Sequence, residues 1–149
     1  MARVYIGLGT NLGDRPANIK NAGLELIKHK DIDIIKESSI EETDPVDFID
    51  QPKFLNQVIL IKTGASPPDL LHLLKKIEKK LGRKTTFAKG PRLIDLDILL
   101  YDDIILKTGD LTIPHPEIQN RKFILKHLIE IDPDIKDPVT GERYDTFSK

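Results

Sequence analysis

Alternation of apolar and polar positions along the chain predicts four long strands and a short fifth one. Residues 4–8 alternate regularly, which predicts a strand with one apolar face. Residues 33–41 also predict a strand, and their high content of charge places it more at a sheet edge. Residues 54–62 are apolar on both faces near their middle, as central strands are. Residues 94–100 alternate apolar residues with aspartate, and a short strand is predicted at 111–113.

Apolar positions three and four residues apart predict three helices, two between these strands and one after the last strand. The first begins at Asp14, a suitable N-cap, and runs to about His29. The second begins at Ser66, which is followed by two prolines, and ends at Gly82. The third covers residues 123–131 and stops before a proline.

The order of these elements is β-α-β-β-α-β, followed by a hairpin and a C-terminal helix. This order predicts an α+β fold of the ferredoxin-like α/β sandwich type, with a mainly antiparallel sheet, helices packed on one face and an extra hairpin. The other face of the sheet would be free to bind a ligand. We expect residues 1–149 to form a single domain, with a turn at 101–103 and a surface segment from Asp137 onwards.

Composition narrows the class of protein. The chain has 149 residues, a net charge of −1 and no cysteine, so disulfides and thiolate metal sites are excluded. A general nucleic-acid binder normally has a basic excess, which this chain lacks. The sequence contains no apolar run near the ~20 residues of a membrane span and no signal-peptide pattern. We therefore expect a cytoplasmic protein that binds neither membranes nor nucleic acid, and we expect it to be a monomer.

Asp95 and Asp97 are the most informative pair in the chain. If residues 94–100 are extended, their apolar side chains, Leu100 included, enter the core while both aspartates lie on the opposite face. Two adjacent carboxylates repel each other unless a cation lies between them. Carboxylate oxygens suit Mg²⁺, which keeps its other positions for water and phosphate. The pattern indicates a magnesium-phosphate site, with Arg92 as a candidate phosphate ligand.

An isolated Asp-x-Asp tripeptide is more often a solvated strand edge than a metal site. The context here favours the metal site. The opposite face of the strand is apolar throughout, and a Gly-Pro-Arg turn at 90–92 leads directly into the strand.

The segment GPRLIDLDILLYDD at 90–103 resembles the signature of the 6-hydroxymethyl-7,8-dihydropterin pyrophosphokinases of folate biosynthesis. Further segments resemble that family in the same order along the chain, which single motifs seldom do by chance. They are YIGLGTNLG at 5–13, ETDP at 42–45, DQPKFLN at 50–56, LTIPH at 111–115 and NRKF at 120–123.

This resemblance implies transfer of the β,γ-diphosphate of ATP to the hydroxymethyl group of the reduced pterin, with release of AMP. It implies that Asp95 and Asp97 hold two Mg²⁺ ions and that Arg83 and Arg92 bind phosphate oxygens. These four residues would be the catalytic set. Besides the two arginines, the implied ATP-binding residues are Leu71, Glu78, Ile98, Thr112, His115 and Arg121.

The pterin side of the site also follows from the resemblance. Phe54 and Phe123 would stack on the bicyclic ring, and the other implied pterin-binding residues are Thr43, Pro45, Val46 and Asn56. The chain departs from many members because it has no tryptophan before Gly90. Asp110 and Pro116 also differ from the basic residue and the tyrosine that some members carry.

Three other functions compete with this interpretation. A nucleotidyltransferase also binds two metals on strand carboxylates, but it usually has a Gly-Ser turn shortly before them, which is missing near Asp95. A non-catalytic ferredoxin-like module that binds a regulatory ligand would need neither the aspartate pair nor Arg83. An RNA-binding protein would need more than the short basic stretch at 83–92 and its single aromatic residue, Phe87.

Overall fold

The computed structural model describes residues 1–45, 50–82 and 93–148. The long strands form one antiparallel sheet, and two short strands form a hairpin. In chain order the elements are β1 (Ala2–Thr10), α1 (Arg15–Ile27), β2 (Ile32–Glu37), β3 (Glu41–Thr43), β4 (Phe54–Thr63), α2 (Pro67–Lys80), β5 (Asp95–Tyr101), β6 (Leu106–Lys107), β7 (Thr112–Ile113), α3 (Lys122–Ile131) and a 3₁₀ helix (Tyr144–Ser148).

The sheet has the strand order β2-β4-β1-β5, and β3 pairs with the edge of β4 that faces away from β1. The single strand predicted at 33–41 is therefore wrong, because β2 and β3 are separate. Ser38 causes the break. Its hydroxyl accepts the main-chain N–H of Val58 at 2.9 Å, and its carbonyl accepts the side chain of Gln57, so residues 38–40 leave the regular ladder.

Helices α1 and α2 pack on one face of the sheet. Asp14 accepts the N–H of Ala17 and Ser66 accepts that of Asp69, so each helix begins at its predicted N-cap. Their buried stripes meet the alternate apolar residues of β1 and β5 in one cluster. A fully buried aliphatic side chain contributes roughly 1.5–3 kcal/mol, so this layer is a main source of stability.

Helix α3 lies on the opposite face, which corrects the expectation that all helices share one face and leave the other free. The strands present a second apolar surface there, because Tyr5, Val58 and Leu60 alternate with the residues of the first layer. Leu125 and Leu128 of α3 cover that surface and are almost fully buried. The predicted α+β class with a mainly antiparallel sheet is confirmed, and only part of the second face stays open.

A β-bulge changes the faces of β5. The pairing of β1 with β5 shifts between Tyr5 and Ile6, so Leu99 is an extra residue in the strand. Leu99 and Leu100 therefore both face α3, whereas Leu96 and Ile98 face α2. The expectation that Leu100 shares the layer of Leu96 is wrong, because strict alternation ends at the bulge.

The C-terminal segment is anchored rather than superficial, which corrects the expectation for residues from Asp137 onwards. Tyr144 is 1% exposed and packs in the same apolar cluster as α3. Asp137 is also buried and accepts the N–H of Val139 and the hydroxyl of Thr140, which closes a turn.

The positive φ of Asp102 confirms the predicted turn at 101–103. The pairing of β6 with β7 confirms the hairpin after it. Within the described ranges, no helix is both long enough and apolar enough to cross a membrane.

Candidate active site

The open part of the second sheet face is a cleft whose floor contains Gly7 and Gly9 of β1. Strand β5 forms one side, and β3 and β4 form the other. The first turn of α3 closes one end with Phe123 and Ile124. Since the two glycines have no side chains, the cleft extends down to the sheet backbone.

Asp95 and Asp97 both line this cleft, so the prediction that they share a strand face is confirmed. Asp95 pairs with Gly9 and Asp97 with Gly7. Burial, and then the neighbouring carboxylates of Asp95 and Glu78, raise the pKa of Asp97 to about 7. The negative charge of the Asp97 carboxylate is therefore poorly stabilised at this position.

The donor set of this pair fits Mg²⁺. The described residues include no group of three or more histidine, aspartate or glutamate side chains that could hold a metal ion. A cation at Asp95 and Asp97 would complete its shell with water and ligand oxygens, which is how Mg²⁺ commonly binds beside phosphates. The raised pKa of Asp97 agrees with such a site, because a bound cation would stabilise the charged form of the carboxylate.

An aromatic pair and an amide line the other side of the cleft. Phe54 begins β4 and Phe123 lies in the first turn of α3. Asn56 is buried, and its Nδ2 donates to the hydroxyl of Thr43 at 2.5 Å. Its Oδ1 lies over Gly9, since a Cβ atom there would be 3.3 Å from that oxygen. The arrangement offers flat apolar surfaces and a directed acceptor for a planar heterocycle.

His115 and Arg121 extend the cleft beyond the aspartates. The main-chain N–H of His115 donates to the carbonyl of Leu99 at 2.9 Å, which fixes the loop to β5. Its Nδ1 accepts the N–H of Glu117 at 3.1 Å, so the neutral ring carries its proton on Nε2. Arg121 is the N-cap of α3, so its positive charge lies beside a helix N-terminus, which itself favours anions.

Comparison with known proteins identifies the family. The family model of 7,8-dihydro-6-hydroxymethylpterin-pyrophosphokinase (HPPK) matches residues 5–133. The chain belongs to this family. The resemblance stated from the sequence motifs is thereby confirmed.

Curated relatives of the HPPK family are similar along nearly the whole chain. The 2-amino-4-hydroxy-6-hydroxymethyldihydropteridine pyrophosphokinase of Bacillus subtilis (strain 168) is 42% identical over 141 residues, which cover 95% of this chain and 84% of that protein. The Folic acid synthesis protein fol1 of Pneumocystis carinii is 46% identical over 138 residues, which cover 93% of this chain and 18% of that protein. The chain thus spans about a fifth of the length of fol1 and most of the Bacillus protein.

Solved structures share the HPPK fold. A Plasmodium falciparum HPPK-DHPS, crystallised as the wild type with pteroate, has a TM-score of 0.76 at 18% identity. The match covers 99% of this chain and 42% of that one. At this identity the likeness concerns the fold alone.

The predicted HPPK site residues divide into three groups. Those that line the cleft are Thr43, Phe54, Asn56, Asp95, Asp97, His115, Arg121 and Phe123. Those that the structure describes outside the cleft lining are Pro45, Leu71, Glu78, Ile98 and Thr112. Those that lie outside the described residues are Val46, Arg83 and Arg92.

The second group includes residues near the outer side of β5, on the side of α2. Glu78 is buried, and its Oε2 accepts the main-chain N–H of Leu96 at 2.8 Å. Ile98 is 3% exposed and packs in the first apolar layer, with Leu71 beside it. The side chain of Ile98 is therefore not open to the cleft, and any contact it makes with a ligand would use the outer backbone of β5.

The polar contacts made by the residues at the end of β1 were not expected from the sequence. Asn11 is 2% exposed, and its Nδ2 donates to Oε1 of Gln51 at 2.9 Å and to the carbonyl of Pro52 at 3.0 Å. The hydroxyl of Thr10 donates to the carbonyl of Leu93. The signal was present as two polar residues inside a glycine-rich turn after a strand, but the sequence does not show what they bind.

Proposed function

We propose that this chain transfers the diphosphate of ATP to the hydroxymethyl group of 6-hydroxymethyl-7,8-dihydropterin, giving the pterin diphosphate and AMP in folate biosynthesis. Membership of the HPPK family supports this reaction. The structural observation that carries it is one cleft with paired carboxylates on β5 and an aromatic-amide set on β4 and α3.

The pterin would lie between Phe54 and Phe123, which contribute stacking on its two faces. Asn56 holds Thr43 with its amide nitrogen and presents Oδ1 over Gly9. That oxygen can accept a hydrogen bond from the amino or amide edge of the ring. In this pose the hydroxymethyl group extends towards β5, where the two aspartates lie.

Asp95 and Asp97 would hold two Mg²⁺ ions, which when bound neutralise polyphosphate charge and bring the phosphorus and the hydroxyl oxygen together. The bond from the hydroxymethyl oxygen to the β-phosphorus forms as the bond from that phosphorus to the departing AMP oxygen breaks, and the hydroxyl proton passes to water. His115 and Arg121 line the same cleft and supply donors for phosphate oxygens. By resemblance, Arg83 and Arg92 contribute further guanidinium groups, and Leu71, Glu78, Ile98 and Thr112 contribute to ATP binding.

The test is to incubate the protein with ATP, Mg²⁺ and the reduced pterin and to resolve the nucleotide products. AMP that appears only when pterin is present would support diphosphoryl transfer. ADP would contradict it and indicate ordinary phosphoryl transfer. Bound ATP without turnover would favour a regulatory module instead.

A matched pair of variants strengthens this test. Asp97→Asn should lower AMP formation about a thousandfold, because it removes a carboxylate that a metal needs. Asp103→Asn removes an exposed aspartate of the following turn and should leave turnover unchanged. The cytoplasmic location, the monomeric state and the single domain over residues 1–149 stay predictions.

A further inference from the structure

His127 of α3 is a buried titratable group that the proposed reaction does not use. It is 0% exposed. In the part of the chain that the structure describes, neither of its ring nitrogens has a hydrogen-bond partner. A buried polar group without a hydrogen-bond partner costs stability. His127 is therefore a candidate for a role beyond filling space.

The His127 ring lies one helical turn after Phe123. The two rings meet edge to face, with centroids 6.4 Å apart and planes at 65°. Such a pair restrains both rings in one geometry and is favourable beyond the area it buries. Phe123 is the aromatic residue that α3 presents to the cleft, so His127 supports it from the buried side.

The same ring faces strand β3. Its Nε2 lies 3.8 Å from Oε2 of Glu41, whose other oxygen accepts Nζ of Lys126 at 2.8 Å. Glu130, one turn further along α3, accepts the N–H and the hydroxyl of Ser39. A polar seam of Ser39, Glu41, Lys126, His127 and Glu130 therefore joins α3 to the start of β3.

This seam connects the two walls of the cleft. Glu41 pairs with Asn56 across β3 and β4, and Thr43, two residues later, binds the Asn56 side chain. His127 thus belongs to the helix that carries Phe123 and lies beside the strand that carries Thr43. Movement of its ring would change the separation of the aromatic wall from the amide wall.

We propose that neutral His127 is a positioning residue for the pterin subsite, holding Phe123 edge to face and setting the spacing of α3 from Glu41. This inference rests on the proposed function, because it assigns Phe123 to the pterin. Burial has the largest effect on the pKa of His127 and lowers it. The carboxylates of Glu41 and Glu130 raise this pKa, and the positive charge of Lys126 lowers it. The net effect is a lowered pKa, so the ring is neutral at neutral pH.

Three variants separate positioning from stability. His127→Ala removes the ring, His127→Phe keeps a flat ring that cannot be protonated, and Ile131→Ala opens a cavity one turn further along the same helix. The measurement is the Kd of 6-hydroxymethylpterin, followed by its fluorescence at pH 7.5 with Mg²⁺ and a non-hydrolysable ATP analogue. Thermal unfolding of each variant is recorded beside it.

We expect His127→Ala to weaken pterin binding about five- to tenfold at pH 7.5, with kcat at saturating pterin changed less than about twofold. His127→Phe should keep the wild-type Kd, because it retains a flat ring against Phe123. Ile131→Ala should lower the Tm as much as His127→Ala does but leave the Kd unchanged.

Equal changes in Kd for His127→Ala and Ile131→Ala would overturn the proposal, since loss of stability would then explain both. A Kd in His127→Phe as weak as that in His127→Ala would overturn the positioning role of the ring. If wild type itself binds no pterin, the proposed function fails and this inference fails with it.

Discussion

Asn56 of β4 and Asp95 of β5 lie in register with the same residue of β1, Gly9. Two strand spacings therefore separate them, which is about 9–10 Å between backbones. In the proposed pose, a bicyclic heterocycle with a one-carbon arm would span this gap, with its amide edge at Asn56 and its hydroxyl towards Asp95. Under the proposed function, the sheet spacing would therefore match the distance from the amide edge of the pterin to its hydroxymethyl group.

Gly9→Ala should weaken pterin binding about tenfold. The new Cβ atom would lie 3.3 Å from Oδ1 of Asn56 and 3.9 Å from the Phe54 ring, so the proposed acceptor must move. Fluorescence titration with 6-hydroxymethylpterin measures the change. Gly109→Ala is the control, because a Cβ atom there meets nothing within 4 Å. Unchanged affinity in Gly9→Ala would remove Asn56 from the pterin subsite.

Asp97 should contribute a loss of stability to the metal-free protein as the pH rises from about 4 to about 7. The pKa of Asp97 rises from 3.8, the ordinary value of an aspartate side chain, to about 7 in the fold, so the folded protein binds this proton more tightly. The stabilising contribution is complete below the lower value and is lost as the pH passes the higher one. Tm measured in EDTA at pH 4.5, 6 and 8 follows it.

Asp97→Asn should flatten that dependence, because the amide does not titrate, and should be more stable than wild type at pH 8 without metal. Added Mg²⁺ should raise the Tm of wild type and leave that of Asp97→Asn nearly unchanged. Parallel pH curves for the two proteins would show that Asp97 does not carry the effect.

Gly23→Ala should stabilise the protein by about 0.5–1 kcal/mol. Gly23 lies inside α1, where glycine is unfavourable, and a Cβ atom there meets nothing within 4 Å. Urea unfolding measures the gain, and turnover should be unaffected because α1 lies on the sheet face away from the cleft. A loss of stability would mean that the helix is packed more tightly at this point than the structure shows.

Tyr144→Ala should destabilise the protein by about 3–5 kcal/mol, as loss of a large buried aromatic residue does. Tyr144→Phe should cost much less, because it removes only a hydroxyl whose contact with Asp137 is 3.5 Å long. Chemical unfolding of both variants distinguishes an anchored C-terminal segment from a superficial one. Equal small effects would favour the superficial segment.

Much of the fold follows from local patterns. The apolar repeats and the N-caps Asp14 and Ser66 located α1 and α2, because these signals act within a few residues. The aspartates were assigned to one face because alternation is a property of any strand. The choice of face for α3 was missed, since an amphipathic helix shows that it packs but not on which side of a sheet.

The features that escaped sequence analysis depend on partners distant in the chain. The break at Ser38 is stabilised by Val58, and Asn11 binds Gln51 and Pro52, so neither contact has a local pattern. Tyr144 resembled a surface residue because its neighbours are polar, although it packs in the cluster with α3. Such contacts can be known only once the strands are placed side by side.

The bulge at Leu99 determines where β5 can lose a residue without turning Asp95 or Asp97 away from the cleft. Deleting Leu99 would straighten the strand and leave Asp95 and Asp97 on the cleft face, because both precede the irregular step. Deleting Leu96 instead would shift the face of Asp95 relative to Asp97, since side chains alternate at every residue. One-residue gaps among functional relatives should therefore gather at Leu99 and Leu100 and avoid the interval between the two aspartates.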